Sequence, residues 1–283
     1  MSFFIFHLHF SFLISHFSFF LRTFASMNDE KKISVVINTY NAEQHLEAVL
    51  ASVEGFDEVV ICDMESTDHT LEIARRHGCR IVTFPKANHK SAEPARTFAI
   101  QSASNPWVLV VDADEIVTAA LRDELYRRIA EADCPAGLYI PRLNKFMGKT
   151  MVCAYPDYQL RFFIREGTEW PPYVHTFPTV HGRLDYLPKR RRELAFIHLA
   201  NDSIHSIMEK DNRYSDNDVD KKAHKRYGAG ALVYRPLWRF FKCYAMEGGW
   251  RDGVRGFIYA GLKGVYQFQL VAKMIERRKE AQP

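Results

Sequence analysis

From residue 33 onward, apolar and polar positions alternate in blocks of two periods. Ile33-Ser-Val-Val-Ile37 is a short β-branched run and predicts a strand. Residues 42–53 place Leu46, Val49, Leu50 and Val53 on one helical face, and Gly55 follows as a stop. Val59-Val-Ile-Cys62 predicts a second strand. A helix follows from Ser66-Thr-Asp68, whose side chains suit an N-cap, through His77 to Gly78. Arg80-Ile-Val-Thr-Phe84 predicts a third strand, and residues 91–104 a helix with Pro94 tolerated in its first turn. Trp107 to Val111 predicts a fourth strand and Leu121 to Ala130 a further helix. Strand and helix in strict alternation imply right-handed crossovers and a parallel α/β sheet.

After Cys134 the pattern changes. Residues 138–142, 158–165 and 194–198 predict strands, so mixed α+β structure is appended to the sheet. In the second of these, Gln159, Arg161, Phe163 and Arg165 share one side. Residues 204–223 are charged and helical in pattern. From Val233 the chain turns aromatic and basic. That region reads either as packing helices or as a surface for a membrane interface, and Arg235-Pro-Leu-Trp-Arg-Phe-Phe-Lys242 suits the second. Glycines at 248, 249, 253, 256, 261 and 264 argue against one long spanning helix, so peripheral membrane association is expected. Lys189-Arg-Arg-Arg192 reads as a solvated loop, with an anionic headgroup contact as the alternative. The expected division is a catalytic domain over residues 27–200 and a helical C-terminal region over 201–283.

Composition narrows this picture. With 47% apolar and 25% charged residues in 283, the chain can bury a real core. Five scattered cysteines, an odd number, fit a reduced cytosolic compartment better than a disulfide framework. A net charge of +4, weighted toward the C-terminus, favours anionic partners; no nucleic-acid partner is expected. Residues 1–26 are rich in Phe and His, carry the single charge Arg22 and lack a basic n-region. They are expected to be upstream sequence preceding a true start at Met27. A signal-anchor is the alternative, since the segment is long enough to span a bilayer.

Candidate chemistry lies at the strand ends. The run Trp107-Val-Leu-Val-Val stops at Asp112-Ala-Asp114-Glu115. Ligands of open α/β sheets bind beyond the carboxyl ends of the strands. Two carboxylates there suit Mg²⁺ or Mn²⁺ carrying substrate phosphates. Asn38–Asn41 and Asp63–Asp68 stand at two further strand ends, so three polar clusters are expected to meet on one edge.

These segments resemble a family. Ile33-Ser-Val-Val-Ile-Asn-Thr-Tyr-Asn41, Asp63-Met-Glu-Ser-Thr-Asp68 with Thr70, and Asp112-Ala-Asp114-Glu115 stand in the order seen in family 2 glycosyltransferases of GT-A fold. Tyr155-Pro-Asp-Tyr-Gln-Leu-Arg161, Val174-His175, Ile197-His198, Lys210-Asp-Asn-Arg-Tyr-Ser215 and Gly248-Gly-Trp-Arg-Asp-Gly253 are similar to the bacterial lipopolysaccharide core glucosyltransferase group. The resemblance implies inverting transfer of a sugar, usually from a UDP-linked donor, to the hydroxyl of a glycan or lipid-linked acceptor, in the cytoplasm at the inner face of the bacterial membrane. It implies a nucleoside pocket at Thr39, Tyr40, Asn41 and Asp63, a donor-phosphate contact at Arg96, and a metal site at Asp114 with Asp112 sharing the ion or facing the ribose. Arg161 is either a pyrophosphate ligand or an exposed strand charge.

Departures from the family pattern fall at Ala42, Thr97 and Thr176, where many relatives carry Glu, the family usually carries Asn, and relatives often carry Glu, respectively. With no Glu at 176, Asp157 becomes the candidate general base and His175 the second choice. His198 reads as a structural histidine. A nucleotidyltransferase is disfavoured because Asn38-Thr-Tyr-Asn41 has neither Gly nor a basic residue to cradle a triphosphate. An aspartyl-phosphate phosphatase is disfavoured because three strands precede Asp112. A nucleotide-sugar-binding relative without activity is the remaining alternative.

Overall fold

The computed structural model describes residues 31–87, 89, 92–173, 176–199, 203–222 and 224–280. The expectations for residues 1–26 and for His175 lie outside the described residues. The elements in chain order are β1 (Ile33–Thr39), α1 (Glu43–Ser52), β2 (Glu58–Asp63), α2 (Thr70–Arg76), β3 (Arg80–Thr83), α3 (Glu93–Ser102), β4 (Trp107–Asp112), β5 (Glu115–Ile116) and α4 (Ala119–Ala130). There follow β6 (Gly137–Ile140), β7 (Arg142–Phe146), β8 (Lys149–Thr150), β9 (Gln159–Ile164), β10 (Leu184–Tyr186) and β11 (Phe196–His198). Three helices complete the chain: α5 (Ile204–Lys221), α6 (Ala231–Phe241) and α7 (Gly253–Glu280).

The chain divides into two compact units. The first runs to Ala113 and adds Ala119–Tyr139 and Leu160–Tyr186. It holds a seven-stranded sheet in the order β10-β6-β9-β4-β1-β2-β3. β1 pairs in parallel with β2 and β4, β2 with β3, and β10 with β6, while β9 runs antiparallel to β4. The sheet is therefore mostly parallel, as the alternation implies. Every residue of β1 is buried, which explains its continuous apolar run. Val36, Val60, Val108 and Val110 form one core face with Ala95, Ala99 and Ile100 of α3.

The second unit comprises Asp114–Thr118, Ile140–Gln159 and the chain from Leu187 on. It holds a four-stranded sheet, β5-β11-β7-β8, and helices α5 to α7. Phe146, Met151, Cys153, Ile207, Cys243, Ala260 and Leu262 form its core. The expected strand over 138–142 is in fact two strands in two sheets, broken at Pro141. Proline has no N–H to give to a ladder; the Pro141 carbonyl instead accepts from Phe196 N–H at 3.0 Å.

The glycines of the C-terminal region do not interrupt its helix. α7 spans 28 residues and runs through Gly256, Gly261 and Gly264. Two of the three are close-approach positions. A Cβ at Gly256 would lie 1.8 Å from the Gly249 carbonyl oxygen, and one at Gly264 would lie 3.2 Å from that of Pro236. No helix among the described residues is long and apolar enough to cross a membrane.

Candidate functional site

In the first unit, β1, β2 and β4 end together because they pair in parallel register. Thr39 lies opposite Asp63, and Asn38 opposite both Cys62 and Asp112. Asp63 is 1% exposed. Its Oδ1 accepts from the Thr39 hydroxyl at 2.9 Å and the Ser66 hydroxyl at 2.6 Å, and its Oδ2 from Ser66 N–H at 2.9 Å. Those bonds explain why the expected helix start at Ser66 moves to Thr70: residues 64–69 form a loop instead.

That loop is tied to the one after β1. Asn41 adopts φ +48° and its Oδ1 accepts from Thr67 N–H at 2.8 Å. Ser66 accepts from Asn41 N–H and Thr70 from Ala42 N–H. Asp68 accepts from Glu43 and Thr70 N–H. Partial burial works to raise the Asp68 pKa, but the hydrogen bonds from Thr70 and Glu43 prevail and hold it below the ordinary value. Above this frame the Tyr40 ring is 48% exposed, with Lys86 Nζ 4.8 Å from its centroid. An exposed ring on a fixed loop is a stacking platform for a planar base.

On the other face of the same edge, Asp112 receives two arginines. Arg96 Nη2 of α3 lies 2.7 Å from its Oδ1, and Arg161 Nη2 of β9 lies 2.6 Å from its Oδ2. Both guanidiniums lie over the Trp170 ring, at 4.6 and 5.3 Å from its centroid. Thr97 fixes Trp170: its hydroxyl accepts from Trp170 N–H at 2.8 Å and donates to the Trp170 carbonyl at 3.1 Å. Thr97 therefore has a structural job. Arg96 and Arg161 are both buried, so two guanidiniums and one carboxylate meet in a place largely shielded from water, where charged groups need partners. Beside them, the buried Asn38 carboxamide and Trp170 Nε1 have no hydrogen-bond partner among the described residues. Such groups are normally satisfied by protein, water or ligand.

In the second unit, β5, β7 and β11 gather a second polar set. His198 pairs in register with Glu115 and Asn144. Its Nδ1 lies 2.8 Å from Asn144 Oδ1, and its Nε2 lies 3.5 Å from Asp114 Oδ2. Arg142 Nε and Nη2 donate to Asp157 Oδ2 at 2.9 and 2.6 Å, while its Nη1 donates to the fully buried Glu115 at 3.0 Å. Asn144 and Gln159 also donate to Asp157, each at 3.0 Å. Burial works to raise the Asp157 pKa. The Arg142 charge and the hydrogen bonds from Asn144, Arg142 and Gln159 outweigh it and hold the carboxyl below its ordinary range.

The structure thus brings Thr39, Asn41 and Asp63 into one bonded frame beside Tyr40, and Arg96, Asp112 and Arg161 into one cluster. Arg165, expected on the same strand face as Arg161, lies just past the end of β9 and is not part of it: it donates to the Ala103 carbonyl. Asp114 and Asp157 join separate parts of the second polar set. Thr176 donates to the Tyr173 carbonyl at 2.6 Å. Sequence reasoning missed Trp170, Arg142 and Asn144 and treated His198 as structural. A pattern at strand ends could have flagged His198, which closes β11 as Asp112 closes β4. Nothing in the local sequence marks Trp170.

Comparison with known proteins agrees with this geometry. A model of the family described as "Glycosyl transferase family 2" matches residues 34–183. The lipopolysaccharide core biosynthesis glycosyltransferase LpsC of Rhizobium meliloti is 28% identical over 254 residues, covering 87% of this chain and 92% of LpsC. An uncharacterized glycosyltransferase of Rickettsia typhi is 26% identical over 259 residues, 87% of each chain. Among solved structures, the mannosyltransferase PcManGT from Pyrobaculum calidifontis, in complex with GDP-Man and Mn²⁺, aligns with a TM-score of 0.52 at 15% identity, covering 86% of this chain and 87% of that one. The fold is GT-A. The family match spans more than half of the chain and includes all three strand-end motifs, so the chain belongs to glycosyl transferase family 2.

Proposed function

We propose that this protein transfers a hexose from a nucleotide diphosphate donor, UDP-linked by first choice, to a hydroxyl of a lipopolysaccharide-core or other surface-glycan acceptor, with inversion. The observation that carries the reading is the Arg96–Asp112–Arg161 cluster on Trp170, which sets two buried guanidiniums at the carboxyl edge of a parallel sheet. A diphosphate is the anion that such a fork-shaped pair accepts. Tyr40 stacks the base, and the frame of Thr39, Asn41 and Asp63 fixes the loop that presents it. Residues 27–200 carry this chemistry. Residues 201–283 hold the protein peripherally at the cytoplasmic membrane face, where a lipid-linked acceptor is presented. The kinship with LpsC supports the acceptor class.

Asp114 and His198 fit a divalent cation: a hard carboxylate beside an imidazole whose other nitrogen is already oriented. Asp114 is the second acid of Asp112-Ala-Asp114 in the chain. Among the described residues no group of three or more His, Cys, Asp or Glu side chains forms a metal site, so remaining ligands would come from phosphate and water. Mg²⁺ or Mn²⁺ bound there would neutralise charge on the leaving diphosphate. The Mn²⁺ and GDP-Man in PcManGT are consistent with that choice.

In the displacement, the acceptor oxygen bonds to the anomeric carbon as the bond to the diphosphate oxygen breaks. The hydroxyl proton passes to Asp157, our proposed base, with His175 as second choice. Arg142, Asn144 and Gln159 keep Asp157 ionised and fixed in place, at a cost in basicity. That same engagement favours a second reading, a donor-binding relative that does not turn over.

One experiment separates the two. The protein is incubated with a panel of sugar nucleotides, Mn²⁺ or Mg²⁺ and extracted acceptor lipids, and nucleotide release is followed. Release of UDP from one donor, lost in Asp114→Ala, is the expected result. Donor binding without release establishes the second reading, and release of pyrophosphate removes both.

A further inference from the structure

We propose that the outer face of α6 is a docking site for an anionic lipid surface, with Leu237, Trp238 and Phe241 entering the interfacial layer and Arg239 and Lys242 holding lipid phosphate. The inference deepens the membrane-side part of the proposed function and rests on it. α6 is two-faced. Its inner side meets α7: Gly264 approaches Pro236, and the Phe240 ring stands edge-on to Phe257 at 5.2 Å. On its outer side Tyr234, Leu237, Trp238 and Phe241 recur at helical spacing and are each 53 to 63% exposed. Large apolar side chains grouped this way on a surface mark a contact.

The chemistry of the partner follows from what lies between those rings. A pocket where α6 and the turn after it meet α7 is lined by Tyr234, Arg235, Trp238, Arg239, Lys242 and Gln267. Its cations are held in place. Arg235 donates to Gln267 at 2.9 Å, and Glu247 lies 3.0 Å from Arg239 and 3.9 Å from Lys242. Three cations share one carboxylate, so the pocket keeps an excess of about two positive charges for an incoming anion. The charge extends beyond it: residues 231–275 contain seven Lys or Arg and two Asp or Glu.

Trp and Tyr favour the membrane–water boundary, where a ring can be buried while its polar edge stays hydrated. Basic side chains alongside them match the negative surface of a bilayer. A second copy of the chain fits less well, because a two-fold contact would set basic face against basic face. The absence of a long apolar helix among the described residues makes this a surface contact, not a spanning one.

The test uses the full chain, so that residues 1–26 are common to every sample. Co-sedimentation is measured with phosphatidylcholine vesicles and with the same vesicles containing phosphatidylglycerol. Two variants are compared, Leu237→Ser/Trp238→Ser/Phe241→Ser and Arg239→Gln/Lys242→Glu, and UDP binding is measured calorimetrically in parallel. We expect preference for the anionic vesicles, a loss of about tenfold or more in partitioning for both variants, and unchanged UDP affinity. Equal partitioning of the native chain into both vesicle types overturns the proposal. So does native-like partitioning of the triple variant, or a dimer seen by ultracentrifugation that the triple variant abolishes. Vesicle binding without UDP binding would sink the transferase reading and leave this one standing.

Discussion

His198 Nε2 lies 3.5 Å from Asp114 Oδ2 while its Nδ1 faces Asn144 Oδ1 at 2.8 Å. The imidazole is therefore aimed by one neighbour at another, an arrangement typical of metal-binding histidines. His198→Ala is expected to weaken Mn²⁺ activation of nucleotide release by at least about tenfold. Asn144→Ala is expected to do so less severely, by freeing the ring. A Mn²⁺ titration of nucleotide release decides it; an unchanged half-saturation in His198→Ala assigns the residue to structure alone.

Arg161 lies within β9 and Arg165 just past its end, and they differ in partners. Arg161 meets Asp112, and Arg165 meets the Ala103 carbonyl. Arg161→Met is expected to weaken UDP binding by about 2 kcal/mol, roughly thirtyfold in Kd, through loss of a charge-assisted bond. Arg165→Met is expected to bind UDP normally. Calorimetry on the two variants checks the contrast, and equal losses would show that the cluster is not the diphosphate site.

Asp157 makes a pH prediction. Its folded pKa lies below the unfolded value, through Arg142, Asn144 and Gln159 acting against burial. Its ionised form therefore stabilises the fold above about pH 4. That contribution falls away as the pH drops through the depressed folded value. Thermal melts between pH 6 and pH 3 (the range is about that over which a carboxylate titrates) are expected to show a steeper acid loss in the native protein than in Asp157→Asn. Turnover at saturating donor falls in the same variant if Asp157 is the base, and near-normal turnover removes it from that role.

The glycines of α7 give a stability prediction. Gly256 faces the Gly249 carbonyl at a distance no Cβ tolerates, whereas nothing lies within 4 Å of a Cβ at Gly261. Gly256→Ala is expected to cost about 3 kcal/mol by overpacking. Gly261→Ala is expected to add about 0.5–1 kcal/mol by removing backbone freedom from a helix interior. Urea unfolding of the two variants measures both.

Much of this site was legible in the chain itself. Apolar runs that stop at Asn38, Asp63 and Asp112 mark buried parallel strands, and parallel pairing brings their ends together by geometry alone. That is why period and polarity sufficed for the sheet and its shared polar edge, while the family came from the resemblance of the motifs there. The two-sheet division of residues 137–146 was less legible. Pro141 marks the break, but no periodicity tells a reader that the next strand joins a different sheet. In the C-terminal region, Gly256 and Gly264 prove to be close-approach positions inside a helix, which composition alone does not show.

Only tertiary structure decided which charges met. Arg96, Asp112, Arg161 and Trp170 come from four separated segments, and their meeting depends on β9 lying beside β4 and α3 covering that face. Asp114 and His198 meet because β11 pairs with β5. Sequence carries the local signals, period and polarity, because they arise between near neighbours. Long-range pairing chooses partners among many charged side chains of equal local merit, and that choice exists only once the sheets have formed.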